Sequence, residues 1–495
     1  MKTRKIIATL LSCAMVAGLL GGCGGPANGT ATSTGNSAKE GTVSELNILY
    51  PGNESDRMTE FLSKDFAETM KKDLNLKVKV TFVPWDQYWE QKDIMLAAKE
   101  SVDLYWDGLP DLSTMVNKKQ CMPLDDLIKK YGQDMLKVLP MDHIKGGKIN
   151  GVTYGIPSTN TPSSGMFQMV CVRQDILEGV GMSEIKTPDD LKLFAEKAKA
   201  KYPDMKGGAD PIFKPLTRYF SNEQYTWVGS GDLVTFGEES HKAYSYYETE
   251  AFQKLSKFNR ELSKEHIYND DVTTKYNERD TRMQTGLYLW VEGSLGKENE
   301  IIDAVKKNAP EAKLKTYLLA SEKPKYIDAA GGEVICIPNS AKNPEGAMKF
   351  LNWLYSSQDN YNLALYGVKG VDYEVKDNRI NRLTGDDLFY EWMFRNKSYK
   401  MFAPSIDQKF IDEYAHWDDN AKVSKAFGFA FDNKNVKEIE TKLSEASKDF
   451  VPIESGFVDY ETEYPKAVKK LKDAGIDKYV AEIQRQLDEY MAKNK

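Results

Sequence analysis

The chain has 495 residues, of which 41% are hydrophobic, 11% aromatic and 28% charged, and its formal charge is −7. That length exceeds what one hydrophobic core holds and asks for two or three lobes. The acidic balance, without any basic tract, argues against nucleic acid or anionic lipid as the main partner.

The N-terminus places Lys2, Arg4 and Lys5 before an apolar run over residues 6–20, then Gly21-Gly22-Cys23. A charged tip, a short apolar stretch and small residues at the cleavage point make residues 1–22 a secretory signal peptide. The run is shorter than the roughly 20 residues a bilayer span needs. Loss of its three cations brings the remaining chain to near −10. Residues 24–39 (GGPANGTATSTGNSAK) hold no large apolar side chain. They cannot offset ordering entropy, so residues 23–44 read as a flexible linker reaching on the order of 20 Å. No later stretch is apolar enough to span a membrane.

Residues 46–50 (LNILY) form the first strand, closed by the turn Pro51-Gly52-Asn53. Met58, Phe61, Leu62, Phe66, Met70 and Leu74 then recur at three- and four-residue steps, which predicts an amphipathic helix. Residues 76–83 (LKVKVTFV) alternate with period two and make the second strand. A helix over 86–99 and a third strand over 102–106 (VDLYW) follow. Strand and helix in strict alternation imply parallel pairing with helices on both faces of the sheet. Residues 147–157 read as a tight turn and a strand ending at Pro157. A second series of strands opens at 166–173 (MFQMVCVR). Thr187-Pro188 then starts a helix that carries Leu191, Phe194, Ala195 and Ala198. Residues 281–292 and 331–338 are further buried strands, and beyond 340 the pattern is mainly helical. Ile476, Tyr479, Val480, Ile483, Leu487 and Tyr490 give the clearest stripe, just after Gly475.

Several kinds of chemistry are missing. His143, His241, His266 and His416 lie far apart, with no metal-binding spacing, so no metal site is expected. Neither a nucleophile elbow nor a phosphate loop occurs, and no cofactor is expected. Acid pairs such as Asp125-Asp126 and Asp418-Asp419 could serve a glycosidase, but in an acidic chain they read as solvated surface or helix caps. Cys13 falls in the signal. Cys121, Cys171 and Cys336 are too few and too widely spaced for a disulfide framework, and Cys171 and Cys336 sit in apolar core runs. No catalytic residue is assigned.

Aromatic residues are the positive signal: eight tryptophans and twenty-seven tyrosines, several where strands end. Ligands of open α/β sheets bind beyond the carboxyl ends of the strands. An indole there can pack on the C–H face of a sugar while an adjacent carboxylate accepts from its hydroxyls. Trp106 and Asp107 follow the third strand directly, Trp290 closes a strand, and Trp227 and Tyr366 lie in polar or Gly-rich surroundings. These five are the candidate substrate-binding residues. Trp89 and Trp353, mid-helix on apolar faces, read as core.

Residues 20–23 (LGGC), 85–106 (WDQYWEQKDIMLAAKESVDLYW), 147–157 (GKINGVTYGIP), 366–375 (YGVKGVDYEV) and 471–490 (LKDAGIDKYVAEIQRQLDEY) stand in an order that carries a resemblance. Together they resemble the LipO-type extracellular solute-binding lipoproteins of ABC importers in Gram-positive bacteria. Lys369 departs from the acidic residue that related chains often carry in the YGxxG phrase.

The resemblance implies a two-lobed, periplasmic-binding-protein-like α/β fold of type II with a mainly helical C-terminal extension. Lobe 1 would span 45–157 plus about 331–361, and lobe 2 158–330 plus about 362–495. Cys23 would carry a lipid and hold the protein on the outer face of the cell membrane. An oligosaccharide would bind in the cleft, gripped by Trp106 and Asp107 from lobe 1 and Trp290 from lobe 2, with Trp227 and Tyr366 as weaker contacts. The closed, loaded monomer would then meet the permease subunits of the ABC transporter, without catalysis. An oligopeptide carrier, a surface-anchored glycoside hydrolase and a sensor or adhesin are the competing readings.

Overall fold

The computed structural model describes residues 43–139, 144–158, 164–165, 167–229, 231–268, 278–327, 332–384 and 388–493. The signal peptide, Cys23 and most of the linker therefore lie outside the described residues.

The chain opens with β1 (Ser44–Pro51), β2 (Leu76–Val83) and β3 (Leu104–Gly108). β1 pairs in parallel with both neighbours, Ile48 standing opposite Val80 and Leu104, as alternation of strand and helix requires. The helical stripe expected as one element is two helices, Asp56–Ser63 and Asp65–Leu74. Lys64 between them has φ −117 and ψ −92, outside helical values, so the axis turns there while Phe61 and Phe66 still meet in the core. A helix over Trp85–Ala97 leads to β3, and β4 (Gly155–Pro157) closes this part.

The next strands form a second sheet. β5 (Met169–Arg173) is followed by the helix Pro188–Lys201, whose capping box is made by Thr187 and Asp190. After β6 (Lys206–Gly208) come the strands β7 (Tyr225–Val228), β8 (Val234–Gly237) and β9 (Ala243–Ser245) of an antiparallel meander. β10 (Tyr288–Gly293) and β11 (Leu314–Leu318) complete a sheet of order β11-β5-β10-β6. The strand expected over 281–292 is half helix: Arg279–Gln284 is helical, and Gly286 at φ +76 turns the chain into β10.

β12 (Glu333–Cys336) then enters the first sheet between β3 and β4, antiparallel to both, with Ile335 opposite Trp106 and Ile156. The first sheet thus reads β2-β1-β3-β12-β4. Two separate cores result. One gathers side chains from 46–156 and 334–394, the other from 170–319 and 426–487.

Residues 362–384 and 388–394, assigned to lobe 2 on the sequence, pack on lobe 1 instead. A hairpin of β13 (Tyr373–Lys376) and β14 (Arg379–Arg382) brings Tyr373 and Ile380 into that core. Asp372 holds the guanidinium of Arg57, at 2.6 Å from Nε and 2.7 Å from an Nη. Tyr50 packs on Phe389 and Tyr390 at ring distances of 5.4 and 5.3 Å. Lobe 2 keeps the C-terminal helices Lys437–Ser447, Tyr460–Ala474 and Ile476–Lys493. Gly475, at φ +103, makes the left-handed turn between the last two. Among the described residues no helix is long and apolar enough to cross a membrane.

Candidate functional site

Beyond the carboxyl ends of the parallel strands of lobe 1, four of the eight tryptophans meet. Trp106, in the middle of β3, is the hub: its ring lies 5.1 Å from Trp89, 5.7 Å from Trp85 and 5.2 Å from Trp392. Trp85 and Trp89 share one face of the helix Trp85–Ala97 because residues four apart lie one turn above the other. Tyr390 stacks on Trp392 at 5.6 Å and on Trp85 at 5.9 Å. Tyr88 packs underneath and donates its hydroxyl to the Trp106 carbonyl at 2.7 Å.

Exposure separates the roles. Trp85 is 42% exposed and Trp89 47%, whereas Trp106 keeps 8%. Exposed indole on this scale is costly to leave in water, and rings locked by neighbours are preorganised to receive an apolar face. Trp106 supports this surface from behind, and its indole N–H has no partner among the described residues.

Asp107 has no accessible surface. One oxygen takes the Lys92 ammonium and the other accepts the Gly108 N–H at 2.7 Å. Burial pushes its carboxyl above the usual carboxylate range, and Lys92 pulls it only partly back. The carboxylate is therefore committed to holding Lys92 and the turn after β3, not free to accept from a ligand as expected.

Trp290 is a correction of the same kind. It is 0% exposed in the core of lobe 2, its indole lying over Gly208, where a Cβ would come within 2.5 Å of Nε1. β10 runs between β5 and β6 and its residues 288–292 are all buried, so Trp290, in the middle of the strand, has no route to solvent. Tyr366 is also buried, edge-on to Tyr361 and Tyr373, with the Arg382 guanidinium 5.2 Å above its ring.

Trp227 is half-buried on β7, packed on Tyr246 at 4.6 Å. It lines a cavity of about 100 Å³ together with Leu109 and Leu112 of lobe 1 and Phe431 of lobe 2. Of the five candidates, Trp106 and Asp107 sit side by side, Trp227 stands at the lobe boundary, and Trp290 and Tyr366 belong to the cores. Trp85, Trp89, Tyr390 and Trp392 were not singled out; Trp89 in particular was assigned to the core. The signal available was the four-residue spacing of Trp85 and Trp89. Trp353 is buried as expected, its indole N–H donating to Asp73 at 3.0 Å.

Lobe 2 offers acceptors where its strands end. Asp210, two residues beyond β6, has one carboxylate oxygen buried without a partner, and burial raises its carboxyl to about 6. Glu292 in β10 accepts the Phe213 N–H at 2.5 Å. Deeper in the lobe, burial pushes Glu454 up to about 7, against a hydrogen bond from the Tyr246 hydroxyl at 2.7 Å.

The folded state thus binds the Glu454 proton more tightly than the unfolded chain, whose carboxyl titrates near 4.5. Stability should fall as pH rises from 4.5 to about 7, by up to roughly 3 kcal/mol from this group. Glu454→Gln should flatten that part of the profile, as read from urea midpoints at pH 5 and pH 7.5.

Cys121, Cys171 and Cys336 are buried free thiols, and burial pushes those of Cys171 and Cys336 well up. Among the described residues no cluster of His, Cys, Asp and Glu could hold a metal ion.

Comparison with known proteins adds the following. The model of the family described as bacterial extracellular solute-binding protein matches residues 52–361. A domain of unknown function, DUF3502, matches residues 425–492. A carbohydrate ABC transporter substrate-binding protein of Streptococcus pneumoniae is 24% identical over 480 residues, covering 93% of this chain and 94% of the relative. The crystal structure of the N-glycan transport solute binding protein (NgtS) from Streptococcus pneumoniae superposes with a TM-score of 0.76 at 21% identity, covering 91% of this chain and all of that one. The alginate-binding protein AlgQ2 superposes at 0.63 with 15% identity over 90% of this chain and 98% of its own.

Proposed function

The chain belongs to the bacterial extracellular solute-binding protein family, and on that premise we propose that it captures an oligosaccharide and delivers it to the permease of an ABC importer. The observation that carries this reading is the aromatic surface of Trp85, Trp89, Trp106 and Trp392 at the strand ends of lobe 1. Rigid indole faces suit the C–H faces of sugar rings, and the acceptor Asp210 beyond a strand end of lobe 2 suits hydroxyl groups. Closure of the lobes by hinge motion would bring the two sets onto one ligand, which is what makes the closed state preferred when loaded. The relatives support the ligand class: one is named a carbohydrate ABC transporter substrate-binding protein, and NgtS has been crystallised with Man1GlcNAc and Man5GlcNAc.

The protein acts as a binder without catalysis and as a monomer. The sequence Leu20-Gly21-Gly22-Cys23, which resembles the lipidation motif of bacterial lipoproteins, supports a lipid anchor on Cys23 that would keep the lobes on the extracellular face of the membrane, within a linker's reach of the permease.

Trp89→Ala is the direct test. Loss of an exposed hot-spot indole should cost about 2 kcal/mol of binding, roughly thirtyfold in Kd. Because Trp89 is nearly half exposed, the melting temperature should stay within a few degrees of wild type. Calorimetry of both proteins with a neutral oligosaccharide reads the first effect and thermal unfolding the second. Unchanged affinity in the variant would remove the aromatic surface from the binding account.

A further inference from the structure

Residues 424–433 lie along the boundary of the two lobes, around the start of the stretch that matches DUF3502. We propose that this strip is a latch: it is fixed to lobe 2, rests releasably on lobe 1, and sets how much of the unloaded protein is closed. The latch acts in the unloaded protein, so it is independent of the ligand's identity.

Side chains along the strip alternate between the lobes. Phe429 packs on Tyr490 and Phe431 on Tyr479, at ring distances of 5.7 and 5.3 Å, both partners belonging to the last helix of lobe 2. Ala430, between them, packs on the core of lobe 1. The backbone is riveted on the lobe 2 side as well. Gln486 accepts the Asp432 N–H at 2.9 Å and donates to the Asp432 carbonyl at 2.8 Å, and the Tyr490 hydroxyl donates to the Phe427 carbonyl. Ser424 takes the Thr226 hydroxyl of β7 at 3.3 Å, and Asn433 donates to Glu440 at 2.6 Å.

The seat on lobe 1 is looser. The cavity of about 100 Å³ lies at this seam, with Ala430 and Phe431 on one side and Leu109, Leu112 and Ile149 on the other. A void there forfeits the contacts that tight packing supplies. The polar link is Asn117, exposed at the end of the helix Leu112–Asn117. Its amide donates to Asp432 at 3.3 Å and to Asn433 at 3.5 Å. Two large rings and a clamped backbone thus face lobe 2, against one methyl group and one long amide contact on lobe 1. The strip therefore stays with lobe 2 when the lobes part. Leu109 follows β3 directly, so the latch bridges the lobes at the strand end that also carries Trp106. A protein closed for only part of the time binds with an apparent Kd equal to the intrinsic one divided by the closed fraction. The looseness of this seat is thus a setting of affinity made by residues outside the tryptophan surface.

The test sets a carboxylate against the Asp432 carboxylate across the seam. Asn117→Asp does this at an exposed position, so the melting temperature should stay near that of wild type. Like charges at this separation repel, and small-angle X-ray scattering of the unloaded variant should give a larger radius of gyration than that of unloaded wild type. The double variant Asn117→Asp, Asp432→Asn removes the repulsion and keeps a side chain able to cap the following turn, so its radius should return to the wild-type value. Calorimetry with neutral tetrasaccharides of glucose, mannose and galactose reads the consequence. The tightest of them should bind Asn117→Asp roughly fivefold more weakly, as a fivefold drop in the closed fraction requires, and the double variant should recover that loss. An unloaded, folded Asn117→Asp protein with the wild-type radius overturns the latch, whatever its affinity, and so does an enlarged radius that the double variant fails to reverse. If no saccharide binds wild type, the carbohydrate reading falls and the scattering result alone decides the latch.

Discussion

Lys92→Met is expected to destabilise the protein by about 3–5 kcal/mol, the usual result of removing one partner from a buried ion pair. Asp107 has no accessible surface and, among the described residues, receives only the Gly108 N–H besides the ammonium. Without Lys92 its charge would stand in a desolvated place. Burial already raises this carboxyl, and the variant should raise it further, so that Asp107 folds in protonated form. The sign follows: the folded variant binds a proton that the unfolded chain releases, and its stability should fall as pH rises past the ordinary carboxylate range. The double variant Lys92→Met, Asp107→Asn removes the charge and should recover part of the loss at pH 7. Urea unfolding at pH 5 and pH 7.5 reads all of this. A Lys92→Met variant as stable as wild type at pH 7.5 would show that the pair is not the anchor of the turn after β3.

Trp290→Ala should be equally damaging, at about 3–5 kcal/mol, for a different reason. The indole is the largest fully buried side chain among the described residues and fills the space above Gly208 on the neighbouring strand. Alanine leaves a cavity that a sheet packed on both faces cannot collapse into. Trp290→Phe keeps most of the volume and removes an indole N–H that has no partner among the described residues. Its cost should stay below about 1.5 kcal/mol. If Trp290→Ala instead left the urea midpoint unchanged and abolished ligand binding, the residue would be a contact and not a core side chain.

The contrast between Trp89 and Trp290 shows what the sequence could carry. Period-two alternation located β2 at residues 76–83, and the Thr187-Pro188 pair located a helix start that the structure caps as expected. Those signals are local, since they arise from backbone geometry and nearest neighbours. Whether an apolar side chain faces a core or a ligand is not local. Trp290 sits in a run of five buried residues, where covering of both sheet faces erases alternation. Trp89 lies on a helix whose apolar residues point both to the core and to the binding face, so its periodicity reads as burial throughout. Trp392 and Tyr390 are brought to Trp106 from almost three hundred residues away, by a segment without helical or strand period. The return of residues 362–384 and 388–394 to lobe 1 is set by contacts far apart in sequence, such as Asp372 on Arg57, which no local pattern carries. Asp107 was legible as a residue at the end of a strand, but its partner Lys92 is one turn of helix beyond Trp89, a contact that only the packing reveals.

The central claim, capture of an oligosaccharide on the tryptophan surface of lobe 1, is tested most directly by one titration. The purified protein and its Trp85→Ala, Trp89→Ala double variant would be titrated by calorimetry with a panel of neutral oligosaccharides and, in parallel, with a peptide pool. At least one saccharide should bind the wild type with a Kd in the micromolar range or below and show no measurable binding to the folded double variant. Binding of peptides alone, or saccharide binding that survives loss of both indoles, would contradict it.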